Sequence, residues 1–446
     1  MKLFKTLLAL ALTCILGSIL LGFSIFTKAK NNLPVKHIIV IGTGAAGIGF
    51  INEVLDQNSA ASITWISADR DNPYDRTKLD SVVSKKISEE KPILYNKNVA
   101  NIKVLLGKKV ISINSEKKII TLDDKSTYHY DYIFLATGSK PTKITTKSIN
   151  KSINGLFNFY TLQDAKNINA YIEQNNINNA VVIGCGINGL EAADALFRRK
   201  IKVTLIDKNE HILQNTLNDA VASQAIEKNI KKTPSIRWYS RASLKNIIEK
   251  NGILEGIELT NGTILKTSLV ISAVGVKPNT KLAQQLNISM KNGALIVDET
   301  MKTSDPSIYA GGDIVLIHDK GTNALTKSCK WGDAIQQGRI AASNIFGREK
   351  KYQGSLIGFR TSFFGNTLVA SGLLKNYQPH YKIVEHSGID NNGRIFYHKI
   401  ILDKNIIKGF IVCNNANHAR RLRTALAEQK TFNYKKFLKK DFRLKN

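Results

Sequence analysis

His37-Ile-Ile-Val-Ile-Gly-Thr-Gly-Ala-Ala-Gly47 and Ala180-Val-Val-Ile-Gly-Cys-Gly-Ile-Asn-Gly189 carry the same pattern. Each apolar run predicts a buried strand, and each glycine-rich turn opens a stretch with helical periodicity. In a dinucleotide site the first glycine makes the tight turn, the second lets a pyrophosphate approach the backbone, and the third lets helix and strand pack closely. The free N–H groups at the start of the helix then face the phosphates. Two such units predict two dinucleotides in one protein, and the usual reason is electron transfer between them.

An aspartate follows the second predicted strand of each unit. The strand Ser62–Ser67 is followed by Asp69, and the strand starting at Lys202 ends in Asp207. A carboxylate in this position accepts hydrogen bonds from the ribose hydroxyls of an adenosine and repels the 2′-phosphate of NADPH. Asp207 therefore favours NADH, although Lys208 lies beside it. The alternative for Asp69 is a residue of a surface turn.

Composition and charge limit the class of protein. A chain of 446 residues suggests two to four domains. The net charge of +29 comes mostly from Lys, and it reflects either composition alone or attraction to anionic lipid, to an acidic protein or to nucleic acid. No nucleic-acid-binding motif is present, so no nucleic acid partner is expected. Four cysteines without a C-x-x-C pair argue against a metal site and against a redox dithiol of sequence neighbours.

The N-terminal segment is apolar. Residues 6–27 contain no charge, and a helix of that length spans about 33 Å, enough for a hydrocarbon core of about 30 Å. The best cleavage motif, Thr27-Lys-Ala29, is poor. We therefore expect residues 1–30 to be a single-pass membrane anchor, with export after signal cleavage as the alternative. Because reduced nicotinamide nucleotide is cytosolic, the catalytic part is expected on the cytoplasmic side.

Three further motifs carry a resemblance to a known family. They are Pro73-Tyr-Asp-Arg-Thr-Lys-Leu79, Ala136-Thr-Gly138 and Ala310-Gly-Gly-Asp313. With the two glycine fingerprints they make the chain, from about residue 36 to about residue 430, resemble the FAD-dependent pyridine nucleotide oxidoreductases with two dinucleotide-binding domains. That group includes rubredoxin and ferredoxin reductases, the NADH-binding part of nitrite reductase and proteins like apoptosis-inducing factor.

The resemblance implies an α/β fold. It has two Rossmann-like domains, doubly wound and three-layered, plus a smaller α+β C-terminal domain. In this family the C-terminal domain often forms a dimer interface, so a homodimer is expected by resemblance. The implied divisions are an FAD-binding domain at 36–155 and 275–347, an NAD(P)-binding domain at 156–274, and a C-terminal interface domain with a basic tail at 348–446.

The resemblance also implies two nucleotide sites, one for a permanent FAD and one for exchangeable NAD(P)H with NADH preferred. Glu191, two residues after the third glycine of the second fingerprint, matches a glutamate near the nicotinamide and is the candidate catalytic residue. The alternative for Glu191 is an ordinary carboxylate on a helix surface. The implied FAD residues are Gly42, Gly44, Ala45, Ala46, Gly47, Asp69, Arg76, Ala136, Thr137, Gly138, Asp313 and Trp331. The implied NAD(P)H residues are Gly184, Gly186, Asn188, Gly189, Asp207 and Gly275.

The chain departs from the relatives that work through a cysteine. Those relatives carry it shortly after the Pro-Tyr-Asp-Arg stretch, where this chain has Lys78-Leu-Asp-Ser81. The predicted function is therefore hydride transfer from NADH, or NADPH, to FAD, with the electrons passed to a separate acceptor. A small electron-transfer protein would suit the positive surface, and a quinone would suit the anchor. The alternative is a redox-sensing or scaffold flavoprotein with little turnover.

Overall fold

The computed structural model describes residues 36–57, 61–95, 99–144, 153–375, 378–435 and 437. The first fingerprint forms a strand of branched residues, which pack well on a pleated surface, followed by a helix whose N-cap is the extended Gly44. The elements along this first part of the chain are β1 (His37–Ile41), α1 (Ala45–Asp56), β2 (Ser62–Ser67), a 3-10 turn (Arg76–Lys78), α2 (Leu79–Val83), β3 (Ile102–Leu106), β4 (Val110–Asn114), β5 (Ile119–Leu122), β6 (Thr127–His129), β7 (Tyr132–Leu135), β8 (Ser139–Pro141) and β9 (Leu156–Asn158). Of these, β9 belongs to the sheet of the second unit.

The second fingerprint repeats this arrangement. Its strand is buried and its helix begins after Gly186, again an extended N-cap without a side chain. The elements of this second unit are α3 (Leu162–Asn175), β10 (Asn179–Ile183), α4 (Ile187–Arg198), β11 (Lys202–Ile206), α5 (Gln214–Leu217), α6 (Ala220–Ile230), β12 (Ile236–Tyr239), β13 (Leu244–Lys250), β14 (Ile253–Leu259), β15 (Ile264–Lys266) and β16 (Val270–Ser272).

A third stretch of chain returns to the first unit. Its elements are β17 (Val276–Pro278), a 3-10 turn (Ala283–Gln285), β18 (Met290–Lys291), β19 (Ala294–Ile296), β20 (Ile308–Ala310), β21 (Val315–Asp319), β22 (Ala324–Lys327) and α7 (Trp331–Ile345). Strand β17 pairs antiparallel with β8, so the outgoing and returning chains run side by side. Strand β20 then pairs in parallel with β7 and completes the first sheet.

The two units contain the same five-stranded sheet. The strand order is β20-β7-β1-β2-β3 in the first unit and β12-β11-β10-β16-β9 in the second. All pairs in both sheets are parallel, so the carboxyl ends of the strands, where the two glycine turns lie, form one edge of each sheet. The predicted α/β class with two Rossmann-like domains is therefore confirmed.

Helix α7 packs against α1 with the two backbones in contact. A Cβ atom at Gly49 would overlap the carbonyl group of Ile335, and one at Gly338 would overlap that of Ala46. Only glycine permits this approach, because any side chain would separate the helices. The contact fixes the start of α7 beside the first glycine turn.

The C-terminal unit is one antiparallel sheet and one helix. One face of the sheet packs on α4 and α6 of the second unit, sharing a core with it. The helix covers the other face through a separate apolar cluster. The elements are β23 (Gly358–Phe363), β24 (Asn366–Gly372), β25 (Lys382–Ile389), β26 (Ile395–Asp403), β27 (Ile406–Cys413) and α8 (Ala416–Glu428), with sheet order β23-β24-β27-β26-β25.

Among the described residues no helix is both long and apolar enough to cross a membrane. Helix α7, with 15 residues, is about 22 Å long, against a hydrocarbon core of about 30 Å. This finding corrects three predictions: an N-terminal transmembrane anchor, the membrane as a partner, and a membrane localisation. None of the three is retained. Residues 1–30, on which they were based, lie outside the described residues.

Candidate functional site

The first glycine turn leaves space that the protein itself does not use. Gly42 has φ +114°, and a Cβ atom there would overlap the carbonyl group of Ala136. A Cβ atom at Gly47 would overlap the carbonyl oxygen of Gly42. At Gly44, by contrast, a Cβ atom would meet nothing within 4 Å. The outer glycines therefore serve the fold, whereas the middle glycine faces open space that a pyrophosphate would fill.

The second turn repeats this geometry. Gly184 has φ +99°, and a Cβ atom there would clash with the carbonyl group of Ala273. A Cβ atom at Gly189 would overlap the carbonyl oxygen of Gly184, whereas nothing lies within 4 Å of one at Gly186. Both turns thus have the form that a dinucleotide phosphate requires.

A single large cavity joins the first turn to the second unit. Its volume of about 1520 Å³ exceeds the range of about 300–1,000 Å³ that is usual for one ligand pocket. Helix α4 reaches this cavity, so the two units share it. The predicted residues that line it are Gly42, Gly44, Ala45, Ala46, Asp69, Arg76, Ala136, Thr137, Gly138, Asn188, Glu191, Asp313 and Trp331.

Six predicted residues lie away from this lining: Gly47, Gly184, Gly186, Gly189, Asp207 and Gly275. Asp207 has a role that its sequence position did not reveal. Its carboxylate accepts hydrogen bonds from the backbone N–H of Cys185 at 2.6 Å and from the backbone N–H and side-chain amide of Asn209, both at 2.8 Å. Asp207 therefore anchors the glycine turn to the end of β11.

The guanidinium group of Arg76 lies in the first site between aromatic rings. It stacks 4.0 Å from the ring centre of Tyr160 and 5.9 Å from that of Tyr74. Burial raises the pKa of the nearby Asp69, and the charge of Arg76 acts in the opposite direction. Among the described residues Arg76 makes no ion pair shorter than 4 Å, so its charge is available to an anionic group in the cavity.

Asp313 is held by a chain of hydroxyl groups that the sequence did not identify. The hydroxyl of Ser139 donates to the Asp313 carboxylate at 2.6 Å, and the hydroxyl of Tyr160 donates to the carbonyl oxygen of Ser139 at 2.8 Å. Burial raises the pKa of Asp313. Ser139 directly follows the Ala-Thr-Gly motif, and that adjacency was the available signal.

The start of α7 opens into the cavity. Trp331 and Gly332 line it, and helix-start N–H groups favour negative charge nearby. Lys330 also lines the cavity, and its ammonium donates to the hydroxyl of Ser355 and the carbonyl of Leu356, both at 2.7 Å.

Glu191 lies in the cavity wall and has a partner from the C-terminal unit. The hydroxyl of Thr361 donates a hydrogen bond to its carboxylate at 2.6 Å. Burial raises the pKa of Glu191, and the carboxylates of Asp80 and Asp194 raise it further, whereas the bond from Thr361 lowers it. The side chain is half-buried at the junction of the two units.

Comparison with known proteins identifies the class. Residues 36–338 match the pyridine nucleotide-disulphide oxidoreductase family, and the chain belongs to that family. It is 30% identical over 323 residues to an NADH oxidase of Methanocaldococcus jannaschii, covering 70% of this chain and 71% of the relative. It is 26% identical over 346 residues to a rubredoxin-NAD(+) reductase of Pseudomonas putida, covering 76% and 87%.

The solved structures give the same fold. An NAD-dependent persulfide reductase from A. fulgidus superposes with a TM-score of 0.80 at 25% identity, covering 89% of this chain and 77% of that one. The chain is thus an NAD(P)H-dependent oxidoreductase of a family that uses FAD, and the predicted family, enzyme class and cofactors are confirmed. Because its relatives are oxidases and reductases, the alternative of a scaffold with little turnover is not favoured.

Proposed function

We propose that the chain is an NADH-dependent FAD reductase that passes its electrons to a separate acidic electron-transfer protein. The observation that best supports this proposal concerns the two glycine turns and Glu191. Each of the two glycine turns presents a middle glycine to open space, and Glu191 lies in the wall of the cavity between the units. Two nucleotides held in this way would meet where α4 borders the first site.

The first site is proposed to hold FAD, whose bound flavin supplies the redox chemistry by accepting hydride and releasing electrons singly or in pairs. Gly44 admits the pyrophosphate, and Asp69 accepts the ribose hydroxyls. Arg76 offers positive charge along the cofactor. Asp313, fixed by Ser139, binds the ribityl chain. The start of α7 would favour negative charge on the flavin ring, because Trp331 and Gly332 line the cavity and the N–H groups of a helix start favour negative charge nearby. The residues proposed to line the cofactor are Gly42, Gly44, Ala45, Ala46, Gly47, Asp69, Arg76, Ala136, Thr137, Gly138, Asp313 and Trp331.

The second site is proposed to take NADH in preference to NADPH. Gly184, Gly186, Asn188, Gly189 and Gly275 shape the turn region. Asp207 is fixed by three hydrogen bonds, so its carboxylate cannot rotate away from an incoming 2′-phosphate. Repulsion between the two negative charges would select against NADPH.

The cysteines support an acceptor outside the chain. Of the described cysteines, Cys329 lines the cavity and is exposed to it, and desolvation by the cavity wall, followed by the charge of Asp313, raises the pKa of its thiol to about 11. A thiol with that pKa stays protonated near neutral pH and is a poor nucleophile, because the thiolate is the reactive form. Cys185 and Cys413 are buried. Electrons would therefore leave without forming a cysteine adduct.

A basic rim favours an acidic acceptor protein. Lys320, Arg360 and Arg423 come from three separate parts of the chain, line the same cavity and are exposed. Clustered positive charge attracts an acidic partner and speeds encounter at low salt. Arg360 and Arg423 belong to the C-terminal unit, whereas Lys320 directly follows β21.

The test compares two protein acceptors of opposite charge. The full chain, loaded with FAD, is reduced with NADH, and reoxidation is followed in the visible flavin band with an acidic rubredoxin or a basic cytochrome c. We expect the acidic acceptor to react faster, with a rate that falls steeply between low and physiological salt because exposed charges are screened over about 8 Å at 0.15 M. Arg423→Gln should weaken that salt dependence. Equal rates with both acceptors at every salt concentration, or no flavin reduction by NADH, would refute the proposal.

A further inference from the structure

Strand β23 and the residue that follows it, both in the C-terminal unit, are bonded to two carboxylates of α4 in the second unit. Thr361 donates its hydroxyl hydrogen to Glu191 at 2.6 Å, and the backbone N–H of Phe364 donates to Asp194 at 2.7 Å. Glu191 and Asp194 are three positions apart, so they lie on the same face of the helix, one turn apart. The same segment of chain therefore contacts both.

The two carboxylates differ in their surroundings. Asp194 is 3% exposed, forms an ion pair with Arg198 at 2.8 Å and is absent from the cavity wall. Glu191 lines the cavity and has Thr361 as its hydrogen-bond partner. Asp194 therefore attaches the strand, whereas Glu191 faces the space that the nucleotides would occupy.

We propose that Thr361 is a positioning residue that holds the Glu191 carboxylate, in its ionised form, against the nicotinamide end of the bound nucleotide. This inference rests on the proposed function, which places the nicotinamide at Glu191. It extends that function because Thr361 belongs to the C-terminal unit. The C-terminal unit would thereby take part in nucleotide binding.

The electrostatics indicate why such a bond is needed. Burial and the neighbouring carboxylates of Asp80, on α2, and Asp194 favour the neutral form of Glu191. Arg198 is engaged by Asp194, and Arg360, which precedes Thr361, is exposed. A hydroxyl that donates to a carboxylate favours the ionised form, so Thr361 opposes the other influences.

Ionised and neutral Glu191 would differ in how strongly they favour binding of the oxidised nicotinamide over the reduced one. The oxidised ring carries a positive charge and the reduced ring does not, so a carboxylate in a partly desolvated wall attracts NAD⁺ selectively. The affinity for NAD⁺ should therefore fall as the pH drops through the pKa of Glu191, whereas the affinity for NADH should change little.

The test measures equilibrium binding rather than turnover. The dissociation constant of NAD⁺ is determined from pH 5 to 9 on the FAD-loaded full chain for wild type, Thr361→Val and Thr361→Ser. We expect Thr361→Val to move the midpoint of the pH dependence upward by about one unit, and therefore to bind NAD⁺ about tenfold more weakly at pH values below the wild-type midpoint, as loss of a hydrogen bond to a charged group implies. Thr361→Ser should match wild type. If Thr361→Val does not retain FAD, Thr361→Ala carries the same expectation.

Two control variants distinguish an error in the role of Thr361 from an error in the proposed function. Asp194→Asn weakens the attachment of the same segment and removes a carboxylate that raises the pKa of Glu191, so it should move the NAD⁺ midpoint downward, opposite to Thr361→Val. Glu191→Gln should remove the pH dependence. If Glu191→Gln does so and Thr361→Val retains the wild-type midpoint, the role of Thr361 is refuted and the proposed function stands. If Glu191→Gln leaves the pH dependence intact, the placement of the nicotinamide at Glu191 fails, and this inference fails with it.

Discussion

At the scale of single residues, the middle glycines of the two turns are distinguishable by experiment. Gly44→Val should abolish retention of FAD, because the added side chain enters the space where a pyrophosphate would lie. Gly186→Val should retain FAD and lose NADH binding. Both variants should fold, since a Cβ atom at either position meets nothing within 4 Å. The measurements are flavin absorbance after purification and titration with NADH.

The decisive result is that Gly44→Val loses only FAD and Gly186→Val loses only NADH. Each variant is the control for the other, because the same substitution is made at the same position of two equivalent turns. Loss of FAD from both variants, or from neither, would show that the two sites are not divided between the cofactors as proposed.

The same scale shows why the sequence revealed some site residues and not others. Gly42, Gly184 and Asp207 are recognisable because the backbone around them imposes local requirements on residue type. Thr361 reaches Glu191 across 170 positions, and no local pattern marks such a contact. Tyr160 was missed for the same reason, whereas the only sequence signal for Ser139 was its position directly after the Ala136-Thr-Gly138 motif, since its partner Asp313 lies 174 positions away.

At the scale of elements, α8 is held against its sheet by a buried histidine pair. Nδ1 of His398 lies 3.3 Å from Nδ1 of His418, so one nitrogen donates and the other accepts. Burial, followed by the two neighbouring histidines, lowers the pKa of His398 to about 3. The folded chain therefore keeps His398 neutral at pH values where the unfolded chain binds a proton.

The buried histidine pair predicts that the folded protein loses stability in acid. Below the unfolded pKa of about 6.5 the unfolded state binds more protons, so the free energy of unfolding should fall by about 1.4 kcal/mol per pH unit as the pH drops toward 3. Thermal unfolding at pH 7.5, 6.0 and 5.0 would measure it. His398→Phe should flatten the slope, whereas His129→Gln, at an exposed position of β6, should leave it unchanged. Equal slopes in all three proteins would contradict the prediction.

The elements themselves were largely predictable. The fingerprint strands and helices lie where periodicity and glycine spacing placed them, because strong local signals agree with the burial that the sheets impose. The sequence analysis did not predict the pairing of β8 with β17. Its two strands are only three residues long, too short for an alternating pattern to be visible.

At the scale of the whole molecule, a buried ion pair fastens the C-terminal unit to the second one. The ammonium of Lys399, on β26, lies 2.6 Å from the carboxylate of Asp219, which caps α6, and their side chains are 11% and 3% exposed. Lys399→Met should destabilise the protein by about 3 kcal/mol, because it leaves a buried carboxylate without its countercharge. Denaturant unfolding would measure the loss.

A second substitution checks the cause of that loss. Lys399→Met combined with Asp219→Asn removes both charges, so it should recover a large part of the stability. If the double variant is less stable than the single one, packing around Lys399 rather than the unpaired charge would account for the effect.

The short ribbon formed by β8 and β17 brings the two ends of the second unit together. Lys140 and Lys277 lie opposite each other in it, which places the two ends of the second unit about 5 Å apart. A segment with adjacent ends can be excised or exchanged without breaking the sheet that surrounds it. Exchanging the second unit would therefore need two backbone junctions, both at this ribbon, and the new unit would also have to preserve the core and the ion pair between Asp219 and Lys399 shared with the C-terminal unit.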